Sequence, residues 1–228
     1  MTTIKFGTDG WRAIIAREYT VDNVKRIANA TAQWVKNNGG TAIVLGYDCR
    51  FGGRMFAETT AQIMASHQIK TYFDPNIAST PMVALGVGKK GTKLGVVITA
   101  SHNPPDYNGY KLKSERGGPS IPKDIAAVEA LIPDAVPTQN LPSMAEMEQA
   151  GLLEYVNLED LYYDAVAAGF DLDLIRSSGI VCAYDAMYGA GQHIVQRILP
   201  DVVPLHCAVN PSFDGQAPEP IHKNLTEL

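Results

Sequence analysis

Apolar runs of two different periodicities alternate along this chain, and the alternation limits the folds that it can adopt. Short β-branched runs at residues 41–48 and 94–100 are typical of buried strands. Residues 20–40 instead repeat apolar side chains at helical spacing and end at a pair of glycines. Strands and helices that alternate in this way predict a mixed or parallel sheet with helices on both faces. We therefore expect a three-layer α/β/α domain on a mixed sheet, followed by a second, incomplete α/β domain.

Further segments of both kinds extend the pattern. Thr80 followed by Pro81 is typical of a helix start, with a capping residue and then a first-turn proline. Asn157 is expected to cap another helix, which ends at Gly169. The sequence predicts the remaining helices over residues 54–67, 80–90, 121–132, 158–169, 171–179 and 189–200, and strands over residues 69–73, 110–113, 180–184 and 202–207.

A proline-containing stretch divides the chain into two parts. Residues 133–151 carry three prolines among Thr, Gln, Asn and Ser, a composition that suits a surface connection between domains. We therefore expect a first domain over residues 1–140 and a partial second domain over residues 151–228.

Composition narrows the class of protein. The net charge is −5 over 228 residues and no basic run occurs, which argues against nucleic acid as a partner. The N-terminus lacks an apolar signal segment, and no run approaches the roughly 18 apolar residues of a membrane helix. The three cysteines show no zinc-binding or C-x-x-C spacing. These features predict a cytoplasmic enzyme or binding domain with no membrane partner.

A polar loop follows the strand at residues 94–100. Ser101 begins it, and His102, Asn103 and two prolines come next. Asp48 and Ser101 both follow strands, and open α/β sheets bind ligands at the carboxyl ends of their strands. The loop lacks both the G-x-S-x-G pattern of a hydrolase nucleophile and a P-loop, and in an extended chain His102 would point away from Ser101. Ser101 is therefore either a reactive hydroxyl or a turn serine that bonds within its own loop.

Two segments carry a resemblance to a known family. The loop TASHNPPDYNGYK at residues 99–111 closely resembles the active-serine loop of the α-D-phosphohexomutases, and FGTDGWR at residues 6–12 resembles their opening motif. The resemblance covers essentially the whole chain, as domain I and most of domain II. It implies that Ser101 carries a phosphoryl group and interconverts hexose 1-phosphate and hexose 6-phosphate through a hexose 1,6-bisphosphate.

The resemblance also implies roles for four side chains. Besides Ser101 these are Lys111, as the acid/base group, His102, as a substrate or proton-transfer contact, and Arg12, directed at a phosphate. From the residues alone, His102 could equally bond to the loop backbone, and Arg12 could be an exposed neighbour of a tight turn at Asp9–Gly10. Lys113 shares the parity of Lys111 on an extended chain and is expected to be a solvated surface lysine.

Two other segments receive structural interpretations. The segment DCRFGGR places Asp48, Arg50 and Arg54 near the same edge, and we expect it to shape the start of a helix rather than perform chemistry. The segment YDAMYGAG at residues 184–191 lacks the G-x-G-x-x-G spacing of a nucleotide site, so we expect a packing turn.

A metal is implied but its main ligands are not in this sequence. The family's Mg²⁺ would use the oxygen on Ser101 together with an aspartate-rich loop, D-G-D-x-D-R, which this sequence lacks. We therefore expect an N-terminal fragment that is inactive alone and could dimerise through the edge of its incomplete second domain. The alternatives are a non-catalytic α/β module that binds a phosphorylated sugar or nucleotide, and a serine hydrolase.

Overall fold

Strands and helices alternate along the computed structural model, which describes residues 3–7 and 10–227. Their bounds are β1 Trp11–Ile14, α1 Val21–Asn37, β2 Ala42–Tyr47, α2 Gly53–Ser66, β3 Lys70–Ile77, α3 Thr80–Lys90, β4 Leu94–Ile98, β5 Tyr107–Ser114, α4 Pro122–Ala130, α5 Met144–Gln149, β6 Leu153–Tyr155, α6 Leu158–Gly169, α7 Leu172–Ser177, β7 Ala183–Asp185, α8 Ile194–Ile198 and β8 Val203–Leu205. Single 3₁₀ turns follow at Phe213–Gly215 and His222–Asn224. Among the helices described here, none is long and apolar enough to cross a membrane.

Six strands form a mixed sheet in the order β1-β5-β4-β2-β3-β6. The four strands from β4 to β6 in this order run parallel, whereas β5 is antiparallel to both β4 and β1. One face is covered by α1, α2, α4 and α5, and the other by α3 and α6. The expected three-layer α/β/α domain on a mixed sheet is therefore confirmed. We call residues 3–7 and 10–169 the first unit, and residues 170–227 the second unit.

The central strands are buried on both faces, as their β-branched composition predicts. Every residue of β4 is buried, and Val96 and Ile98 face one helix layer while Val97 faces the other. Because side chains alternate along a strand, the same strand supplies both cores. The strand ends abruptly at Ile98, which leaves the residues that follow free to form the polar loop.

The stretch from residue 133 to residue 151 is not only a surface connection. It contains α5, which is capped by Ser143, and β6 follows it and pairs in parallel with β3. Met147 and Leu153 are both buried in the core of the first sheet. The first sheet therefore extends beyond residue 140, where we expected the first domain to end. A helix of six residues and a strand of three are too short for periodicity to reveal them.

The second unit is built on a small sheet of two parallel strands, β7 and β8. The strand expected over residues 180–184 is shortened at its start, because Ile180 and Val181 are exposed and unpaired in the described part of the chain. The helix expected over residues 189–200 shrinks to α8, because a turn at Gly189 and Gln192 precedes it.

Most helix starts agree with the sequence, and one is displaced. The side chains of Thr20, Asn157 and Asp171 each accept a hydrogen bond from a first-turn amide of the helix that follows. The cap of α3 is Ser79 rather than Thr80, so Pro81 lies at the second helical position. Pro is tolerated there because first-turn amides have no partner inside the helix.

Candidate active site

A cleft of about 440 Å³ opens at the carboxyl edge of the six-stranded sheet, between the two units. Asp48 directly follows β2, and Ser101 lies three residues beyond the end of the neighbouring parallel strand β4. Both residues line the cleft, as their positions at strand ends predict. The second unit supplies the facing wall, which includes Met187, residues 189–191 and Phe213.

Ser101 adopts an unusual backbone conformation in a tight turn. Its φ is +58°, in the left-handed region that costs a non-glycine residue about 1–2 kcal/mol. The turn is closed by the Asn103 N–H, which donates to the Ala100 carbonyl at 3.1 Å. The Ser101 N–H donates to the Thr99 hydroxyl at 2.9 Å. The side chain remains exposed, so the turn presents a hydroxyl to the cleft from a backbone fixed on both sides.

His102 lies beside Ser101 rather than opposite to it. The distance from Ser101 Oγ to His102 Nδ1 is 3.4 Å, and both side chains are exposed. The expectation that the two side chains diverge is wrong, because it assumed an extended backbone and Ser101 is left-handed. A weak contact of this length permits proton exchange after small adjustment but does not fix the imidazole. Within residues 3–7 and 10–227, no carboxylate bonds to His102 to orient it as a hydrolase triad would.

The guanidinium of Arg50 hydrogen-bonds to four backbone carbonyls of the serine loop. Its Nη1 donates to the carbonyls of Pro104 and Tyr107, at 2.8 and 2.9 Å. Its Nη2 donates to the carbonyls of Ser101 and Asn103, at 2.8 and 2.7 Å. We expected this segment to shape the start of a helix; α2 begins at the nearby Gly53, but the guanidinium itself braces the loop. The D-x-R spacing after a strand was the only sequence signal for this contact.

Asp48 is held within the same network. Its Oδ2 accepts a hydrogen bond from the Thr99 hydroxyl at 2.5 Å and lies 3.3 Å from Arg50 Nε. Burial raises the pKa of Asp48, and the neighbouring Arg50 charge and the Thr99 hydrogen bond oppose that shift. Burial also disfavours the charged form of Arg50, and for this basic group the effect lowers the pKa. The Asp48 carboxylate therefore contacts Arg50 and Thr99 and holds both side chains in place.

Arg12 reaches the serine loop from β1. Its Nη1 donates to Asn103 Oδ1 at 2.7 Å, and the residue is only half-buried. Arg12 is therefore not the exposed neighbour of a turn that the residues alone also allowed. Thr8 and Asp9 lie outside the described residues, and the expected turn at Asp9–Gly10 therefore stays a prediction. Gly10 has a φ of +99° and packs so closely on β5 that a Cβ there would lie 2.9 Å from the Lys111 Cα.

Lys111 and Lys113 are both buried, with 4% and 5% of their surfaces exposed. They lie on the α3 face of the sheet, because Lys111 is paired with Val97 and Lys113 with Gly95. The expectation of a solvated Lys113 is wrong: its Cβ lies 3.3 Å from where a Cβ of Gly95 would stand, so its stem packs on the sheet. The register places Lys111 closer than Lys113 to the strand end that leads to Ser101.

The wall opposite Ser101 comes from the segment at residues 184–191. We expected a packing turn here, and Met187 and residues 189–191 in addition line the cleft. Met187 has a φ of +48°, and its N–H donates to Asp185 Oδ1 at 2.7 Å. The same carboxylate oxygen lies 2.9 Å from His206 Nδ1, and this bond raises the pKa of His206. Nothing in the spacing of this segment indicated that it faces the serine.

A divalent cation has too few ligands here. In the portion of the chain described, no three His, Cys, Asp or Glu side chains converge as a metal site. The Ser101 hydroxyl is open to the cleft, but the carboxylate of Asp48, which lines the same cleft, is engaged by Arg50 and Thr99. These residues do not fit Mg²⁺, so no step below passes through a metal.

Comparison with known proteins gives matches along most of the chain. The family model described as phosphoglucomutase/phosphomannomutase, alpha/beta/alpha domain I, matches residues 3–137, and the model of domain II of the same family matches residues 160–228. A probable phosphomannomutase from Haemophilus influenzae is 33% identical over 181 residues, which are 77% of this chain and 36% of that protein. A phosphoglucosamine/phosphogalactosamine mutase from Sulfurisphaera tokodaii is 29% identical and is matched by 97% of this chain, over 48% of its own length. The chain thus spans less than half of either relative.

Solved structures agree with these matches. The crystal structure of a putative phosphomannomutase from Thermus thermophilus is 32% identical and superposes with a TM-score of 0.90, over 99% of this chain and 51% of that one. A phosphoglucomutase from Paramecium superposes with a TM-score of 0.83 at 17% identity, over 95% of this chain and 45% of that one, which shows a shared fold. Because the two family models together match most of the chain, this protein belongs to the phosphoglucomutase/phosphomannomutase family, the α-D-phosphohexomutases.

Proposed function

We propose that this chain carries the phosphoryl-transferring serine of a hexose phosphate mutase reaction. Phosphorylated Ser101 donates its phosphoryl group to a hydroxyl of a hexose monophosphate and gives a hexose 1,6-bisphosphate. The phosphate at the other position then returns to Ser101, so that hexose 1-phosphate and hexose 6-phosphate interconvert. The membership of the family and the relatives named as phosphomannomutases and phosphoglucosamine mutases support this reaction class.

The observation that carries the proposal is the braced, left-handed turn at Ser101. Phosphoryl transfer depends mainly on positioning the donor oxygen in line with the acceptor. Ser101 is exposed at the cleft, while the carbonyls on both sides of its loop are fixed by Arg50. A serine that only closed a turn would not require a strained backbone at the mouth of a cleft between two units.

Three side chains besides Ser101 have roles in the proposed reaction. Lys111 is the group that takes a proton from the attacking sugar hydroxyl and returns it to the serine. Arg12 offers a guanidinium that already reaches the loop at Asn103, and its planar group suits a phosphate oxygen. His102 contacts the substrate or assists the proton transfer, since its ring lies against Ser101 Oγ.

Interconversion by this chain alone is expected to be absent. A phosphoserine brings nearly two negative charges to Ser101. Among the groups that we can describe, Arg50 has both terminal nitrogens committed to loop carbonyls, which leaves Arg12 as the nearby arginine for those charges. We therefore propose weak binding of hexose phosphates and slow acceptance of a phosphoryl group, without turnover.

The test is intact mass spectrometry followed by peptide mapping. The purified chain is measured before and after incubation with excess glucose 1,6-bisphosphate, beside Ser101→Ala as control. We expect one added phosphoryl group on the peptide that contains Ser101 and none in the control. Binding of hexose phosphate with no phosphorylation would instead support the non-catalytic module, and labelling of Ser101 by a fluorophosphonate would support the hydrolase.

A further inference from the structure

We propose that Arg50 is a positioning residue for Ser101 and that Phe213 of the second unit locks it in place, so that docking of the second unit sets the geometry of the reactive loop. This inference rests on the proposed function for what the loop does, but the coupling itself is a property of the structure.

The first step is the number of contacts that Arg50 makes. Four carbonyls of the serine loop accept hydrogen bonds from its two terminal nitrogens, at 2.7–2.9 Å. The remaining nitrogen, Nε, faces Asp48 Oδ2 at 3.3 Å. Only 3% of Arg50 is exposed. The edge of the guanidinium is thus occupied by loop and carboxylate, and only its flat faces remain for other contacts.

The second step is the origin of the group that covers a flat face. The Arg50 Cζ lies over the ring of Phe213, 5.1 Å from its centroid. Phe213 is 4% exposed, although the unit that carries it has a small core and many exposed apolar side chains. Its φ of +47° is left-handed, as is that of Asp214 beside it. The backbone of the second unit therefore bends unfavourably at the position that delivers this ring.

The third step is the physical effect of the ring. A guanidinium over an aromatic face gains cation–π attraction, and the ring keeps water from one side of the charge. Hydrogen bonds from Arg50 to the loop carbonyls are stronger when water does not compete for the same donors. Without the ring, water reaches the guanidinium and the turn at Ser101 loses rigidity. The ring thus acts on the serine through Arg50, since the contact runs to the guanidinium.

The test measures the loop directly by amide hydrogen exchange at Asn103 and Tyr107, whose N–H groups close the two turns of the loop. We expect Phe213→Leu to accelerate this exchange by about tenfold, the effect of losing a desolvated cation–π contact. Phe213→Tyr keeps an aromatic face and should restore slow exchange. Arg54→Lys is the matched control, because Arg54 lies four residues from Arg50 in the same segment but is exposed and pairs only with Glu58 in the described structure. In Arg54→Lys the amides of Asn103 and Tyr107 should exchange at the wild-type rate.

A second variant tests that the ring acts through the guanidinium. Arg50→Lys keeps the charge but cannot hold four carbonyls in one plane. If Phe213 acts through Arg50, Phe213→Leu has little further effect on exchange in the Arg50→Lys background. Independent effects that multiply in the double variant would overturn the proposal. So would unchanged exchange in Phe213→Leu, a variant that keeps an apolar side chain at this position.

Phosphorylation of Ser101 by glucose 1,6-bisphosphate separates this proposal from the proposed function. In Phe213→Leu the maximal rate should fall about tenfold, because the positioning of Ser101 through Arg50 is lost. An unchanged maximal rate would overturn the coupling and leave the proposed function intact. A wild-type chain that is never phosphorylated, but whose loop exchange responds to Phe213→Leu, would support the coupling and overturn the proposed function.

Discussion

Replacing Gly109 with alanine should loosen both the sheet and the serine loop, because this glycine lies where three backbone segments meet. Gly109 is in β5, its carbonyl accepts the Thr99 N–H at 2.9 Å, and it also accepts the Tyr19 hydroxyl at 2.8 Å. A Cβ on Gly109 would lie far inside contact distance of the Thr99 carbonyl oxygen and 2.9 Å from that of Trp11. Both obstacles are main-chain atoms, so no side chain can turn away to make room.

The magnitude follows from how far the strands must move. Real Cβ atoms essentially never approach another heavy atom more closely than 3.0 Å, so the Thr99 carbonyl has to recede by more than half an ångström. Overpacking of this kind costs about 1–3 kcal/mol, and a rigid backbone on two sides puts Gly109→Ala at the upper end, about 3 kcal/mol. For a chain of this length that loss lowers the thermal midpoint by roughly 6–12 °C.

Thermal unfolding followed by circular dichroism measures the effect. Gly88→Ala is the matched control, since Gly88 lies in the interior of α3 with no atom within 4 Å of its added Cβ. Alanine there should raise stability by about 0.5–1 kcal/mol, because glycine loses more backbone entropy in a helix. Equal midpoints for Gly109→Ala and the wild type would refute the argument from close backbone approach, and so would a lower midpoint for Gly88→Ala.

Three further predictions concern the site and its surroundings. Ser101→Ala should remove phosphorylation while changing the thermal midpoint little, since the hydroxyl is exposed; retained phosphorylation detected by mass spectrometry would contradict the assignment. In the phosphorylation of Ser101 by glucose 1,6-bisphosphate, Lys111→Met should lower the rate by about 10²–10⁴-fold and Lys113→Met should not; equal effects of the two variants would contradict the proposed role of Lys111. The bond to Asp185 raises the pKa of His206 above 6.5, so its stabilisation is complete below pH 6.5 and is lost as the pH rises through the raised value. The midpoint of the wild type, relative to that of His206→Gln, should decline over that range, and a constant difference would contradict the pairing.

The sequence predicts the architecture of the first unit well because its elements are long and strongly periodic. The 17 residues of α1 carry a cap, an apolar face and a terminal glycine pair, and all three agree on one helix. The elements that the sequence misses or misplaces are short. The strand β6 has three residues and owes its existence to the open edge of β3, a tertiary effect that no local pattern records. The first strand of the second unit is shortened for the same reason, because pairing rather than propensity sets its length.

In the candidate site, too, the sequence predicts the features that follow from topology and misses those that depend on tertiary contacts. Position at a strand end predicts that Asp48 and Ser101 share an edge, because that rule depends only on topology. The sequence does not predict that Ser101 is left-handed, and the error about His102 follows from that single dihedral angle. Nor does it predict the role of Arg50: its four acceptors are carbonyls, which every residue has, so the D-x-R spacing alone does not identify them.

Because β6 lies beyond residue 140 and still belongs to the first sheet, it limits the positions at which segments of two related proteins could be joined in a chimera. A chimera joined at residue 140 would take β6 from the other parent, and a protein shortened there would lose it and leave the outer edge of β3 open to other chains. Such a cut also separates Met147 and Leu153 from the core that they fill. The helix α6 belongs on the same side, because Leu158 packs in the α3 layer. The seam at which sequence can be exchanged with least damage therefore follows Gly169, where α6 ends.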